Sequence, residues 1–172
     1  MKARVFVIIF LVLFAFSSGS QSRTLCHQRD SLFSIERSKN ENIVRYDACL
    51  LQNGNISDSN PFDVYWIVKK GKKEELNTIE KQHAYGIESK EKLGENTFRI
   101  VIKAFKDREI IVKKMKTDYK AIVRLKGELS ILGKVYVKSE ERTLGFPEVN
   151  YVDLFGRSLQ TNRPVKERIT PK

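Results

Sequence analysis

The stretch TFRIVIKAFKDREIIVKKMKTDYKAIVRLK, residues 97–126, decides the fold. Apolar and polar residues alternate at its start, with Phe98, Ile100, Ile102 and Ala104 pointing one way and Arg99, Val101, Lys103 and Phe105 the other. Side chains alternate across a strand with period two, so this pattern is a half-buried strand rather than a helix face. YKAIVRLK repeats it, with Tyr119, Ala121, Val123 and Leu125 inward and Lys120, Ile122, Arg124 and Lys126 outward. EIIVKKM reads as a third strand between them, and the polar breaks at 106–108 and 117–118 are hairpin-sized. An antiparallel meander follows.

Outward from this core, LFSIERS and IVRYDACL form two strands around the turn KNEN, and FDVYWIVK has the nearly continuous apolar run of a covered strand. LSILGKVYVKS and EVNYVDLF follow, with Gly133 read as a bulge or close approach and Gly156 as the turn after Phe155. The polar tail 160–172 has room for an edge strand near Val165. One short helix is predicted, capped by Asn77 or Thr78, carrying Glu80 in its first turn and ended by Gly86. Eight or nine short strands with one capping helix predict a mainly β fold, an antiparallel sandwich or small barrel.

Lys2 and Arg4 precede an apolar run of 12 residues, Val5–Phe16, followed by small polar residues. A spanning helix needs roughly 20 apolar residues, so residues 1–22 read as a secretory signal peptide and the product as secreted or periplasmic. A retained signal anchor is the competing reading. The mature chain divides into an N-terminal segment 23–31, one β domain 32–159 and the tail 160–172, a length suited to a single core. Without Lys2 and Arg4 the basic residues fall from 32 to 30, which against 21 acidic residues leaves a net charge of +9. Such an excess concerns partners, not fold.

An oxidising compartment would allow Cys26 and Cys49 to pair, and two isolated thiols are the alternative. Adjacent Cys26 and His27, with Cys49 and His83 far along the chain, do not match the spacing of a zinc site, so no metal is expected. No cofactor motif is present. IERSKNENIVRYDA (Ile35–Ala48), NPFDVYWI (Asn60–Ile67) and AYGIE (Ala84–Glu88) together resemble a family of secreted bacterial proteins known as domain of unknown function 4833. The resemblance spans about Phe33 to Ile169. It implies an exported, mostly β domain and brings no established activity, substrate or catalytic residue.

Candidate chemistry is dispersed. Glu36, Asp47, Asp63 and His83 are the side chains a small hydrolase would use, with Asp47 and Asp63 as paired carboxylates and Glu80 placed to orient His83. The plainer reading of Glu80 and His83 is an exposed helix face. Ser89 and Lys92 have serine–lysine spacing but sit in SKEK, read as a charged turn. ERSKN gathers Glu36, Arg37, Lys39 and Asn40 at a strand end, where Arg37 could fork a carboxylate or phosphate and where side chains equally tie a turn. Tyr65 and Trp66 must face opposite ways.

Ten basic residues against three acidic ones lie between Arg99 and Lys126. Lys103, Lys120, Arg124 and Lys126, with Arg99, would give the meander a cationic face for an anionic polysaccharide or lipid headgroup. The competing account is a solvated face that blocks edge aggregation. Nucleic acid is disfavoured, because no nucleic-acid-binding signature is present. Three functions stand open: an exported non-catalytic binding or envelope-associated module, which is preferred; the small hydrolase; and a lipid-binding barrel with a cavity among Phe98, Ile100, Tyr119 and Val123.

Overall fold

The computed structural model describes residues 26–140 and 148–170; the leader read in residues 1–22 lies outside them. The alternating segments form β1 (Gln28–Arg37), β2 (Asn40–Leu50), β3 (Phe62–Val68), β4 (Lys72–Glu75), β5 (Ile87–Gly94), β6 (Thr97–Ile102), β7 (Phe105–Met115), β8 (Asp118–Leu125), β9 (Glu128–Glu140), β10 (Glu148–Ser158) and β11 (Pro164–Ile169). The one α-helix among the described residues, α1, spans Thr78–His83. The chain is mainly β, a curled sheet forming a half-barrel.

The curl originates at β9. Ser130 and Ile131 pair with Ser158 and Arg157 of β10, and also with Val123 and Ile122 of β8. Lys134–Val137 pair with β10 again, and in parallel with Ser34–Arg37 of β1. A strand has two edges, so β8 and β1 follow one another along the same edge of β9, and the sheet forks there. One wing runs β1–β2–β3–β4 and the other β8–β7–β6–β5. Gly133 is the extra residue of a bulge at this point, since Lys134 pairs with Phe155 and Leu132 with Gly156.

The inner faces of the wings close on each other. Phe62 meets Phe98 edge-on at 5.6 Å, Phe33 stacks on Tyr46 at 4.4 Å, and the Tyr46 hydroxyl donates to the Tyr85 carbonyl at 2.5 Å. Burial pushes the Tyr46 phenol far above its ordinary range, so it stays a neutral donor. Phe98, Ile100, Tyr119 and Val123, whose side chains would have lined a lipid cavity, belong to this continuous core.

Several local readings are corrected. The β6–β7 turn is Lys103–Ala104, and residues 106–108 lie within β7 as an irregularity between the pairs Val101–Glu109 and Ile102–Phe105. Phe105 is therefore buried and Ala104 exposed, because the aromatic ring has more apolar surface to remove from water. SKEK is not a turn but part of β5, and KKEE forms β4; both are exposed edge strands specified by pairing rather than apolar alternation. Their charges suit edges, since lysine-rich edges resist pairing with other chains. The tail does form an edge strand, β11, on β10.

Gly156 is not a turn either. It lies within β10, where a Cβ would sit 2.7 Å from the Ile131 carbonyl oxygen and 2.8 Å from Leu125 Cδ1. Gly86, after α1, answers a tighter approach, with a Cβ position 1.9 Å from the Lys81 carbonyl oxygen. The helix itself begins with a capping box: Asn77 accepts from the Glu80 amide and Glu80 accepts from the Asn77 amide. No α1 residue is buried; Trp66 Nε1 donates to Glu80 Oε2 at 3.0 Å and ties the helix to β3.

Cys26 and Cys49 form a disulfide that pins the start of the described chain to β2. Replacing both with serine is expected to lower unfolding free energy by about 3 kcal/mol in denaturant titrations, chiefly through the unfolded chain. Gly86→Ala is expected to cost about 1–3 kcal/mol, because the helix end must shift; an unchanged midpoint would contradict that contact.

Candidate functional site

Register turns the meander into rows. On the outer face of the second wing, Thr97, Lys113 and Lys120 form one row, and Arg99, Ile111, Ile122 and Ile131 the next, continued by Arg157 of β10. Arg124 and Leu129 pair in a third row, beside Val101 and Glu109. An open groove of about 440 Å³ runs over the third row, lined by Asp107, Glu109, Ile111, Ile122, Arg124 and Leu129 among others.

The cations on this side differ in their neutralisation. Arg99 lies 3.2 Å from Glu91 and 3.7 Å from Glu109. Lys103 sits in the turn and pairs with Glu88 at 2.6 Å, with Lys106 at 3.4 Å on the same carboxylate. Those two hydrogen bonds hold Glu88 below its ordinary carboxylate range. Lys120 meets Asp118 at 3.3 Å, and Arg124 donates to the Gly127 carbonyl at 2.5 Å. Lys126 occupies the β8–β9 turn with a φ of 46°, its amide bonded to Glu167 rather than its side chain standing on the strand face.

Lys113 is directly opposite Lys120. Like charges facing across a strand pair are destabilising, and the stretch contains no intervening acid on that row. Lys116, in the β7–β8 turn, adopts a φ of 58°, a left-handed conformation that asparagine or glycine takes with less strain. Lys113 and Lys116 were not singled out by sequence. With the hairpin break read at 117–118, Lys113 would face Ile122; the turn is Lys116–Thr117, one residue earlier, and this sets Lys113 opposite Lys120.

The outer face of the first wing is organised differently. Asp47 and Asp63 are direct cross-strand partners, so the carboxylate pair is real. Asp63 accepts from Lys73 at 2.6 Å and Arg29 at 2.9 Å; against a burial penalty, these bonds hold it below its ordinary range and ionised. Asp47 is 4% exposed and accepts from the Tyr65 hydroxyl at 2.6 Å, while its Oδ1 and the neighbouring Arg45 Nε have no partner. Burial pushes Asp47 up, against the opposing Tyr65 hydrogen bond and the Arg45 charge. Burial and the Asp47 bond push Tyr65 up to about 12. Lys73 Nζ also lies 3.8 Å over the Tyr65 ring, so the cluster is closed by its own side chains.

The rest of the hydrolytic set does not join it. Glu36 pairs with Lys134 at 3.2 Å, and His83 is exposed on α1. Lys92 binds Asp58 at 2.7 Å rather than acting on Ser89. In ERSKN, the Arg37 guanidinium stacks 4.5 Å over Trp66 and 5.8 Å from Tyr85, and donates to Asn40 at 3.4 Å. Trp66 is therefore inward and Tyr65 outward, as their opposite parity requires. Lys39 lies exposed in the β1–β2 turn, while the Ser38 hydroxyl and the Ser139 backbone bond each other across to β9. Much of ERSKN is thus tying two strands together. A cluster with no counterpart in the sequence reading is buried Asp153, gripped by Arg168 through two 2.7 Å bonds and by Lys166 at 2.9 Å. The Arg168 bonds, with Lys166, take it down to about 2.

A family profile described as Domain of unknown function (DUF4833) matches residues 33–168, from β1 to within β11. The chain belongs to that family. No curated protein and no solved structure matches it. The matched range of this DUF4833 chain contains the fork at β9, both wings and Asp153, so the family extent coincides with the folded sheet.

The electrostatics of Asp47 make a signed prediction. A carboxyl raised in the folded state contributes stability at low pH, which is lost as pH rises above the ordinary 3.8 and through the raised value. Asp47→Asn has no proton to lose, so its melting temperature should rise relative to the natural chain between acidic and neutral pH. Melts across that range check it, and a difference that falls with pH would contradict the buried, uncompensated carboxylate.

Proposed function

We propose that the mature protein is an exported, non-catalytic binding module, secreted or periplasmic, whose second-wing outer face receives an anionic partner of the glycan or lipid-headgroup kind. The observation that carries this reading is the Lys113–Lys120 pair. Two lysines stand directly opposite each other in register, with Asp118 reaching only Lys120. A phosphate, sulfate or carboxylate between them would convert a repulsion into two charge-assisted hydrogen bonds. Lys116 in its left-handed turn adds a third cation at the end of the same hairpin. The disulfide and the leader-like N-terminus support export.

This reading favours the Lys113–Lys120 pair, where two lysines have one carboxylate, Asp118, between them, over the whole basic surface. Lys103 and Arg99 already have carboxylates and are poor anchors. Binding to a polyanion such as heparin, measured by titration calorimetry, should weaken with rising salt as counterions are released. Lys113→Glu with Lys120→Glu should weaken it by at least about tenfold, since each basic residue near an anionic surface is worth about 1 kcal/mol. Lys103→Glu should change it little. Equal losses for both variants would mean a diffuse net-charge effect and would sink the localised site.

A further inference from the structure

The same face carries a second, uncharged signal. Across the middle of the second wing the outward row reads Arg99, Ile111, Ile122, Ile131, Arg157. The corresponding row on the first wing reads Ser34, Arg45, Tyr65, Glu75, polar throughout. Antiparallel sheets with one solvated face put polar residues outward, and this row follows that rule, while the adjoining first-wing row, Glu36, Ile43, Ile67 and Lys73, holds a shorter run of two isoleucines. The second wing places three isoleucines side by side instead, with Val101 and half-exposed Leu129 alongside. Ile122 is shielded by an isoleucine on either side, whereas Ile111 and Ile131 remain partly open.

Charge frames this apolar row. Arg99 and Arg157 end it, Lys113 and Lys120 run beside it, and Arg124 lies on its other flank. Arginine and lysine lay apolar stems along an apolar surface while their tips reach polar groups, the arrangement of side chains at a lipid headgroup boundary. A soluble glycan calls for aromatic platforms and convergent polar groups. The outward positions of these rows, from Thr97 to Ile131, hold no aromatic residue. No helix among the described residues is long and apolar enough to cross a membrane.

We infer that the β6–β9 outer face docks on the surface of an anionic lipid bilayer, the lysine row meeting headgroup phosphates and the isoleucine row with Leu129 entering the headgroup–acyl boundary. The inference rests on the anion-binding reading of the same face and narrows its partner to lipid. It has a distinct consequence: vesicle binding has an apolar component that salt does not remove, whereas binding to a soluble polyanion has none.

The test uses the purified, oxidised chain in co-sedimentation with phosphatidylcholine vesicles with or without phosphatidylglycerol, and with heparin as the soluble polyanion. The expected result is binding to the anionic vesicles that high salt reduces without abolishing. Leu129→Gln with Ile111→Thr should weaken it about tenfold while leaving heparin binding unchanged. Lys113→Glu with Lys120→Glu should lose both. Circular dichroism and melting of each variant separate loss of binding from loss of fold, and Leu129→Gln alone, at an exposed site, should give a smaller loss in the same direction. Vesicle binding that survives the apolar substitutions, or heparin binding without vesicle binding, overturns the lipid inference and leaves the anion reading standing. Binding to neither overturns both.

Discussion

Everything in this molecule depends on β9 serving three strands with two edges. Its β10 edge is filled along most of its length, so β8 and β1 must share the other edge in succession, one antiparallel and one parallel. Hydrogen bonding cannot continue flat past such a junction. The two wings leave β9 in different directions, and apolar burial of their inner faces folds them together. The bulge at Gly133 and the side-chain-free passage at Gly156 sit where the strands change partners, which is where a regular ladder has to give way.

Once the wings close, each has one face inside and one outside, and the outer faces have diverged. The first wing neutralises itself: Asp63 takes Arg29 and Lys73, Asp47 takes Tyr65, and Glu36 takes Lys134. Its buried Asp47 lacks one hydrogen-bond partner, and Lys73 lies over the ring of the Tyr65 that donates to it. The second wing leaves charges and apolar groups unspent in adjoining rows. Surface ion pairs contribute little to stability. The contrast between the faces is therefore not one of stability.

Strand periodicity was legible wherever one face is buried. Phe98, Ile100 and Ile102, like Tyr119, Ala121 and Val123, point inward as alternation requires. The helix start was legible because Asn77 and Glu80 carry their own hydrogen-bond logic. β4 and β5 were not, because strands exposed on both faces have no hydrophobic period and exist through their neighbours. Gly156 read as a turn because the reason for a glycine there, the Ile131 carbonyl, belongs to another strand. The candidate site was legible in composition and hidden in arrangement: Lys103 and Lys120 look equivalent along the chain, and only the fold gives one of them Glu88 and sets the other against Lys113. Rows of isoleucine likewise come into being only with register, a property no single segment possesses.

The claim that the second-wing outer face is the receiving surface is tested most directly by lysine acetylation footprinting with phosphatidylglycerol vesicles, read residue by residue by mass spectrometry. The account predicts slowed acetylation at Lys113, Lys116 and Lys120, with Lys69, Lys70 and Lys73 of the first wing reacting as they do in free solution. Protection spread evenly over the lysines, or concentrated at Lys69 and Lys70, would contradict it.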